Sequence, residues 1–85
     1  MIRKLTEQDI TAIIGTTIKG YVVENARIKT GTFSDSDHYG ILLGKCASGM
    51  YVTWQFHYDN GEQCVYWGHY MENRDDALQD YHKRE

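Results

Sequence analysis

Proline is absent from this chain, and cysteine occurs only at Cys46 and Cys64. The absence of proline alone excludes no class of protein. Two cysteines are too few for the disulfide framework of small secreted domains, so we expect two free thiols in a reducing compartment. No segment approaches the roughly 18 to 20 apolar residues that span a bilayer, and the amphipathic stretch "LTEQDITAIIG" does not resemble a signal peptide. These features predict a cytoplasmic protein that does not enter a membrane.

Positive charge is also scarce. The chain carries 9 Lys and Arg residues against 12 Asp and Glu residues, which gives a formal net charge of −3 and a pI near 5.7. Non-specific binding to phosphates depends on a cationic surface that releases counterions. The charge balance therefore disfavours nucleic acid as a partner.

Motifs for metal, cofactor or catalytic sites are missing as well. The four histidines and two cysteines show no CxxC, HxxxH or HExxH spacing, and the glycines form no GxGxxG or Walker pattern. The segment "DSDH", residues 35 to 38, lacks the spacing and the terminal Glu of an EF-hand. His57 and Cys64 fall opposite one another in a predicted hairpin, but any two residues on facing strands meet somewhere. We therefore expect no catalytic residues, no metal and no cofactor.

A helix is predicted at each end of the chain. Thr6 is a candidate N-cap for the first helix, which Gly15 ends and whose apolar spacing is carried by Ile10, Ile13 and Ile14. Asn73 is the candidate N-cap of the second helix, which has acidic residues in its first turn and basic residues in its last, as the helix dipole favours. The inward stripe of this second helix is predicted to be Arg74, Ala77, Leu78 and Tyr81.

Four strands are predicted between the helices. β-branched and aromatic residues indicate a first strand over residues 17 to 24, with a ragged continuation to Ile28. The pair Asn60-Gly61 is a strong hairpin signal. The segments "ASG" and "DNG" separate three further strands, at residues 39 to 46, 50 to 58 and 63 to 70.

The order of these elements, α-β-β-β-β-α, predicts one domain over residues 1–85. It belongs to the α+β class, with a four-stranded antiparallel sheet and both helices packed on one face. Residues 30–38, rich in Gly, Ser and Asp, predict a mobile loop.

Two-residue turns at Ser48-Gly49 and Asn60-Gly61 would set the register of the last three strands. Trp54 would then lie opposite Trp67 on one side and opposite Leu43 on the other, with Phe56 between Ile41 and Val65. Both tryptophans are accordingly expected in the core, where their loss would be strongly destabilising. The predicted core face consists of Ile41, Leu43, Val52, Trp54, Phe56, Val65 and Trp67.

The opposite face supplies the candidate partner-binding residues. Gly44, Thr53 and Gly68 would align in one row and leave a furrow between tyrosines, which offer large rigid surfaces with polar tips. In this register the face carries no Lys or Arg, although Lys45 and Lys19 lie at its margins. The candidate site is Tyr51, Thr53, Gln55, Tyr66, Gly68, Tyr70 and Gly44.

Several uses of this face remain open. It is a surface for a protein partner, or for homodimerisation, which the edge of the first strand also allows. Tyrosines on a sheet also stack bases, so a single-stranded nucleic-acid-binding domain is the alternative from another class. A half-solvated antiparallel face without any partner would show the same residues.

The segments "YVTWQF" and "YWGHYMENRDDALQDYHKR", within residues 51 to 84, carry a resemblance. They look like the C-terminal part of small uncharacterised proteins from phages and conjugative mobile elements of Firmicutes. The resemblance implies a bacterial cytoplasm and a mobile-element gene, and it implies no activity or catalytic residue. It fits a small accessory protein that acts by binding.

Overall fold

The computed structural model describes residues 1–29 and 36–84. The predicted loop at 30–38 therefore lies largely outside the described residues, and its last three form a short 3₁₀ helix, Ser36–His38. The helices are α1 (Glu7–Ile13) and α2 (Arg74–Lys83), and the strands are β1 (Thr17–Ile18), β2 (Tyr21–Ile28), β3 (Gly40–Cys46), β4 (Tyr51–Asp59) and β5 (Glu62–Met71).

These strands form one antiparallel sheet in the order β1-β2-β3-β4-β5. The α+β class is confirmed, with five strands in place of the expected four. The first predicted strand is divided because Lys19 and Gly20 adopt φ values of 51° and 86°, which turn the chain back on itself.

Both helix caps follow the sequence prediction. Thr6 Oγ1 accepts from the Asp9 N–H at 3.3 Å, and the Asp9 carboxylate accepts from the Thr6 N–H at 2.8 Å, a reciprocal capping box. Arg3 Nη1 and Nη2 donate to the same carboxylate at 2.7 and 2.9 Å, and these hydrogen bonds hold the pKa of Asp9 well below its usual range. At α2, Asn73 Oδ1 accepts from the N–H of Asp75 at 2.8 Å.

The inward stripe of α2 is confirmed except at its first member. Ala77 and Tyr81 are buried and Leu78 is half-buried. Arg74 is exposed and lies 3.6 Å from Glu24 in an ion pair.

The predicted register between β3 and β4 is wrong by one residue. Leu42, not Leu43, lies opposite Trp54, and Gly40 lies opposite Phe56. The reason is the turn, in which Cys46 pairs with Met50 and three residues are left between them. Gly49 has a φ of 94°, the left-handed residue that a three-residue hairpin loop requires.

The two helices lie on opposite faces of the sheet, which corrects the expectation that both pack on one face. Successive residues of a strand point to opposite faces of the sheet. A register shift of one residue between β3 and β4 therefore changes which β3 side chains share a face with each β4 side chain. The α1 face buries Leu5, Ile10, Ile13, Ile18, Val23, Leu42, Val52, Trp54 and Phe56. The α2 face buries Ile41, Leu43, Tyr51, Ala77 and Tyr81.

The second hairpin begins in the predicted register and then leaves it. Phe56 lies opposite Val65 as expected, but the pairing shifts after Tyr66, so Trp54 faces two residues, Trp67 and Gly68. This is a β-bulge in β5. Trp67 has a φ of 54° and is 68% exposed. Its expected place in the core is therefore wrong, whereas Trp54, 3% exposed, does lie there.

The two tryptophans should respond differently to truncation. Trp54→Ala should lower the free energy of unfolding by roughly 3 to 5 kcal/mol, because it leaves a large cavity in a small core. Trp67→Ala should cost about 1 kcal/mol or less, because it removes an exposed ring. Urea unfolding followed by circular dichroism measures both. Similar losses for the two variants would contradict the bulge as described.

Candidate functional site

The predicted binding residues do not share a face. Gly44 and Gly68 belong to the α1 face, since a Cβ at Gly44 would lie 3.4 Å from Val52 and one at Gly68 would lie 2.7 Å from Trp54 Nε1. Tyr70 joins them, with its ring 6.3 Å from that of Trp54. The other members, Tyr51, Thr53, Gln55 and Tyr66, lie on the α2 face. The predicted furrow is not formed, because the β3 slip and the β5 bulge each change which side a residue faces.

Helix α2 covers part of the sheet face that carries Tyr51, Thr53, Gln55 and Tyr66. Tyr51 is buried against Ala77 and Tyr81, and Thr53 is fully buried. Gln55 is also buried, with its Nε2 donating to the Tyr66 hydroxyl at 2.7 Å. These residues support the fold, and of the predicted set Tyr70, 56% exposed, presents the most surface.

Basic side chains reach the α2 face, contrary to the sequence expectation. Lys29 Nζ donates to Gln55 Oε1 at 3.2 Å, and the charge of Arg84 acts on the Tyr66 hydroxyl. Burial raises the pKa of Tyr66, with the Gln55 hydrogen bond opposing that effect. The expected register had no place for Lys29 or Arg84, because the first strand was predicted to end at Ile28 and Arg84 was assigned to the last turn of the second helix.

Arg84 occupies the gap at the bulge. Its Nη1 donates to the Thr53 carbonyl at 2.9 Å and to Thr53 Oγ1 at 3.1 Å, and its Nη2 donates to the Trp67 carbonyl at 2.6 Å. A bulge interrupts the backbone ladder, and the planar guanidinium fork supplies donors to both strands there. The end of α2 is thereby fastened to β4 and β5.

Asp80 balances this cation. Its carboxylate accepts from Thr53 Oγ1 and from His69 Nδ1, the latter at 2.9 and 3.0 Å. Burial would raise the pKa of Asp80, but the hydrogen bonds from Thr53 and His69 and the charge of Arg84 together lower it. Burial lowers the pKa of Arg84, and the Asp80 charge opposes that shift.

Sequence reasoning missed Asp80, His69 and Arg84 as a group. One signal was available, since Asp80 and Arg84 are four residues apart at the end of the predicted helix and so lie on one side of it. His69 could not be added from sequence, because only the bulge turns it toward Asp80.

Thr53 and His69 do not form a nucleophile–histidine pair at the bulge. Thr53 is fully buried and its hydroxyl donates to Asp80, not to His69. His57 does lie opposite Cys64, as predicted, but the Cys64 thiol donates to the Glu62 carbonyl at 3.8 Å. Thr53 is thus not hydrogen-bonded to His69, and the Cys64 thiol is not hydrogen-bonded to His57, the contact by which a histidine activates a nucleophile.

Two absences concern the described residues alone. In residues 1–29 and 36–84, no three His, Cys, Asp or Glu side chains come together in a way that could hold a metal ion. Neither helix in that part of the chain has the length and apolar character needed to cross a membrane.

Comparison of the whole chain with protein-family models, with curated proteins and with solved structures finds no match. Among the described residues, Trp67 is an exposed aromatic whose ring packs edge-on against Tyr66, with the two centroids 5.0 Å apart.

The Asp80 network predicts a pH dependence of stability. Asp80→Asn should lower the free energy of unfolding at neutral pH by about 1 to 3 kcal/mol, because a neutral amide replaces a charged acceptor of two hydrogen bonds. The pKa of Asp80 is lower in the folded chain than in the unfolded chain. Its stabilising contribution is therefore present above about pH 4, the unfolded value, and is lost as pH falls through the folded value.

Urea unfolding of wild type and Asp80→Asn over a pH series measures this effect. The difference between the two chains should be largest near neutral pH and shrink below about pH 4. Other carboxylates with lowered pKa values, such as Asp9, are present in both chains and cancel in the difference. A difference that stays constant down to about pH 2 would show that the Asp80 charge contributes nothing.

Proposed function

We propose that this chain is a small non-enzymatic protein-interaction domain whose main contact residue is Trp67. The observation that carries the proposal is the combination of an exposed indole and a left-handed backbone at one residue. Tyr70, the other strongly exposed aromatic of β5, is the second contact residue.

Trp67 is unfavourable for folding in two respects. A left-handed conformation costs a residue other than glycine roughly 1 to 2 kcal/mol, and an exposed indole gives up the benefit of burial. Lys19 and Asn60 also have positive φ, but both lie in hairpin turns, where such values are ordinary, whereas Trp67 lies within a strand. Glycine would remove both costs. Strained residues cluster at functional sites, and tryptophan is enriched among residues that dominate binding energy.

The bulge also indicates how a partner would bind. β5 is an edge strand, and a bulge in an edge strand opposes pairing with a further strand. A partner that receives the Trp67 ring in an apolar pocket fits this geometry better than one that adds a strand. Tyr70, whose ring centroid lies 6.0 Å from that of Tyr21, is an exposed aromatic three residues further along β5.

A single-stranded nucleic-acid-binding domain is the second candidate. Lys29 and Arg84 reach the same face as Tyr66, which favours a base stacked beside a phosphate. Arg84, however, already donates to three protein acceptors, and the net charge is −3. Affinity for nucleic acid would fall steeply as salt rises, whereas an apolar contact through Trp67 would change little.

The setting of this function is part of the proposal. The resemblance of residues 51 to 84 to proteins of Firmicutes phages and conjugative elements supports a mobile-element gene. A bacterial cytoplasm is consistent with two cysteines that are both free. In that setting the domain would act as an accessory protein that binds a partner protein or a second copy of itself.

The test is a comparison of immobilised wild type, Trp67→Gly and Ile14→Ala in capture from a bacterial cytoplasmic extract. Ile14 is the matched control, an exposed apolar residue on the other side of the chain from β5, at the end of α1. We expect Trp67→Gly to be as stable as wild type or more stable, because glycine relieves the strain. It should nevertheless lose the captured protein, with at least a tenfold weaker dissociation constant for the purified pair.

Retention of the same protein by Trp67→Gly would contradict the proposal. Loss of capture by Ile14→Ala to the same extent would also contradict it, because the contact would then not be specific to β5. Capture of nucleic acid that is released as salt rises would favour the second candidate.

A further inference from the structure

Arg84 replaces the backbone pairing that the β5 bulge removes. A bulge deprives the carbonyl groups beside the extra residue of their partners in the ladder, so other donors can take those places. Nη1 of Arg84 donates to the Thr53 carbonyl at 2.9 Å, and Nη2 donates to the Trp67 carbonyl at 2.6 Å. One guanidinium thus joins the two strands at the position where Trp67 leaves the regular β conformation.

The position of Arg84 is fixed by other parts of the chain. Its backbone N–H donates to the Asp80 carbonyl at 3.1 Å and ends α2. Its own carbonyl accepts from Arg27 Nη2, on β2, and its Nη1 also donates to Thr53 Oγ1 at 3.1 Å. The Arg84 backbone is therefore held by α2 and β2, and its guanidinium is held by Thr53 on β4, independently of Trp67.

We infer that Arg84 is a positioning residue for Trp67, which holds residue 67 in the left-handed conformation and so keeps its indole exposed. The inference rests on the proposed function only in treating Trp67 as the contact residue, because the conformation of residue 67 is measurable without a partner. The end of α2 is thus part of the binding site, although it need not touch the partner. Lysine cannot take this role, because its single nitrogen does not reproduce the two-pronged fork.

Packing between Gly68 and Trp54 is a second possible origin of the bulge. Gly68 lies so close to Trp54 that a Cβ would be 2.7 Å from the indole nitrogen. Packing of the Gly68 backbone against Trp54 would then set the bulge without Arg84. The two origins differ in what happens to residue 67 when only Arg84 is changed.

The experiment is nuclear magnetic resonance of wild type, Arg84→Gln, Arg84→Lys and the control Lys83→Gln. Lys83 is an exposed cation at the same end of α2. The three-bond HN–Hα coupling and the Cα shift of residue 67 report its φ. We expect left-handed values in wild type and Lys83→Gln, and a shift toward extended values in both Arg84 variants. Left-handed values retained in both Arg84 variants would overturn the inference and assign the bulge to Gly68 and Trp54.

A double-mutant cycle covers an Arg84 variant that does not fold. Glycine adopts positive φ without strain, so residue 67 needs less support when it is glycine. Arg84→Gln should lower the urea midpoint less in the Trp67→Gly chain than in the chain that keeps Trp67. If Arg84→Gln unfolds the chain that keeps Trp67 but not the Trp67→Gly chain, that result also meets this expectation. Equal losses in the two backgrounds would overturn the inference. Failure of Trp67 to capture any partner would contradict the proposed function. It would not alter the φ of residue 67 or the double-mutant cycle, so the two proposals fail separately.

Discussion

The guanidinium of Arg84 lies between two backbone carbonyls at the β5 bulge, and the sides to which Trp67 and His69 turn depend on that bulge. Without the bulge, β5 would continue in the register set by the Asn60-Gly61 turn and would place Trp67 opposite Trp54. With it, Trp67 leaves the core and His69 turns toward Asp80. The same side chain fastens α2 over the second face of the sheet.

A central strand buried on both sides explains why the bulge needs a polar network. Residues 51 to 56 of β4 are all buried, because α1 covers one face and α2 covers the other. Alternation along β4 therefore points Thr53 and Gln55 into a covered face, where an unpaired polar group is costly. Asp80 and Arg84 satisfy Thr53, and Tyr66 and Lys29 satisfy Gln55.

The local elements were predictable from sequence, whereas the arrangement of the sheet faces was not. Thr6, Asn73 and Asn60-Gly61 act through residues within a few positions of themselves, so the caps and the second hairpin were recovered. Ser48-Gly49 fits a two-residue loop and a three-residue loop equally well, and one residue of difference exchanges the two faces. The left-handed residue of a bulge is commonly glycine. Because position 67 is a tryptophan, the sequence predicted neither the bulge nor the exposed ring. The predicted partner-binding role of Tyr51, Tyr66 and Tyr70 stays a prediction, and Trp67, which the sequence assigned to the core, is proposed as a contact residue from its exposure and left-handed backbone.

The two tryptophans of one hairpin face different environments, with Trp54 in the core and Trp67 exposed to solvent. Paramagnetic relaxation by a soluble, uncharged gadolinium chelate tests this difference directly on the unmodified chain, through the indole N–H signals of both residues. The account predicts strong attenuation of the Trp67 signal and little attenuation of the Trp54 signal. Equal protection of both signals would contradict it, because Trp67 would then lie in the core and β5 would have no exposed contact residue at that position.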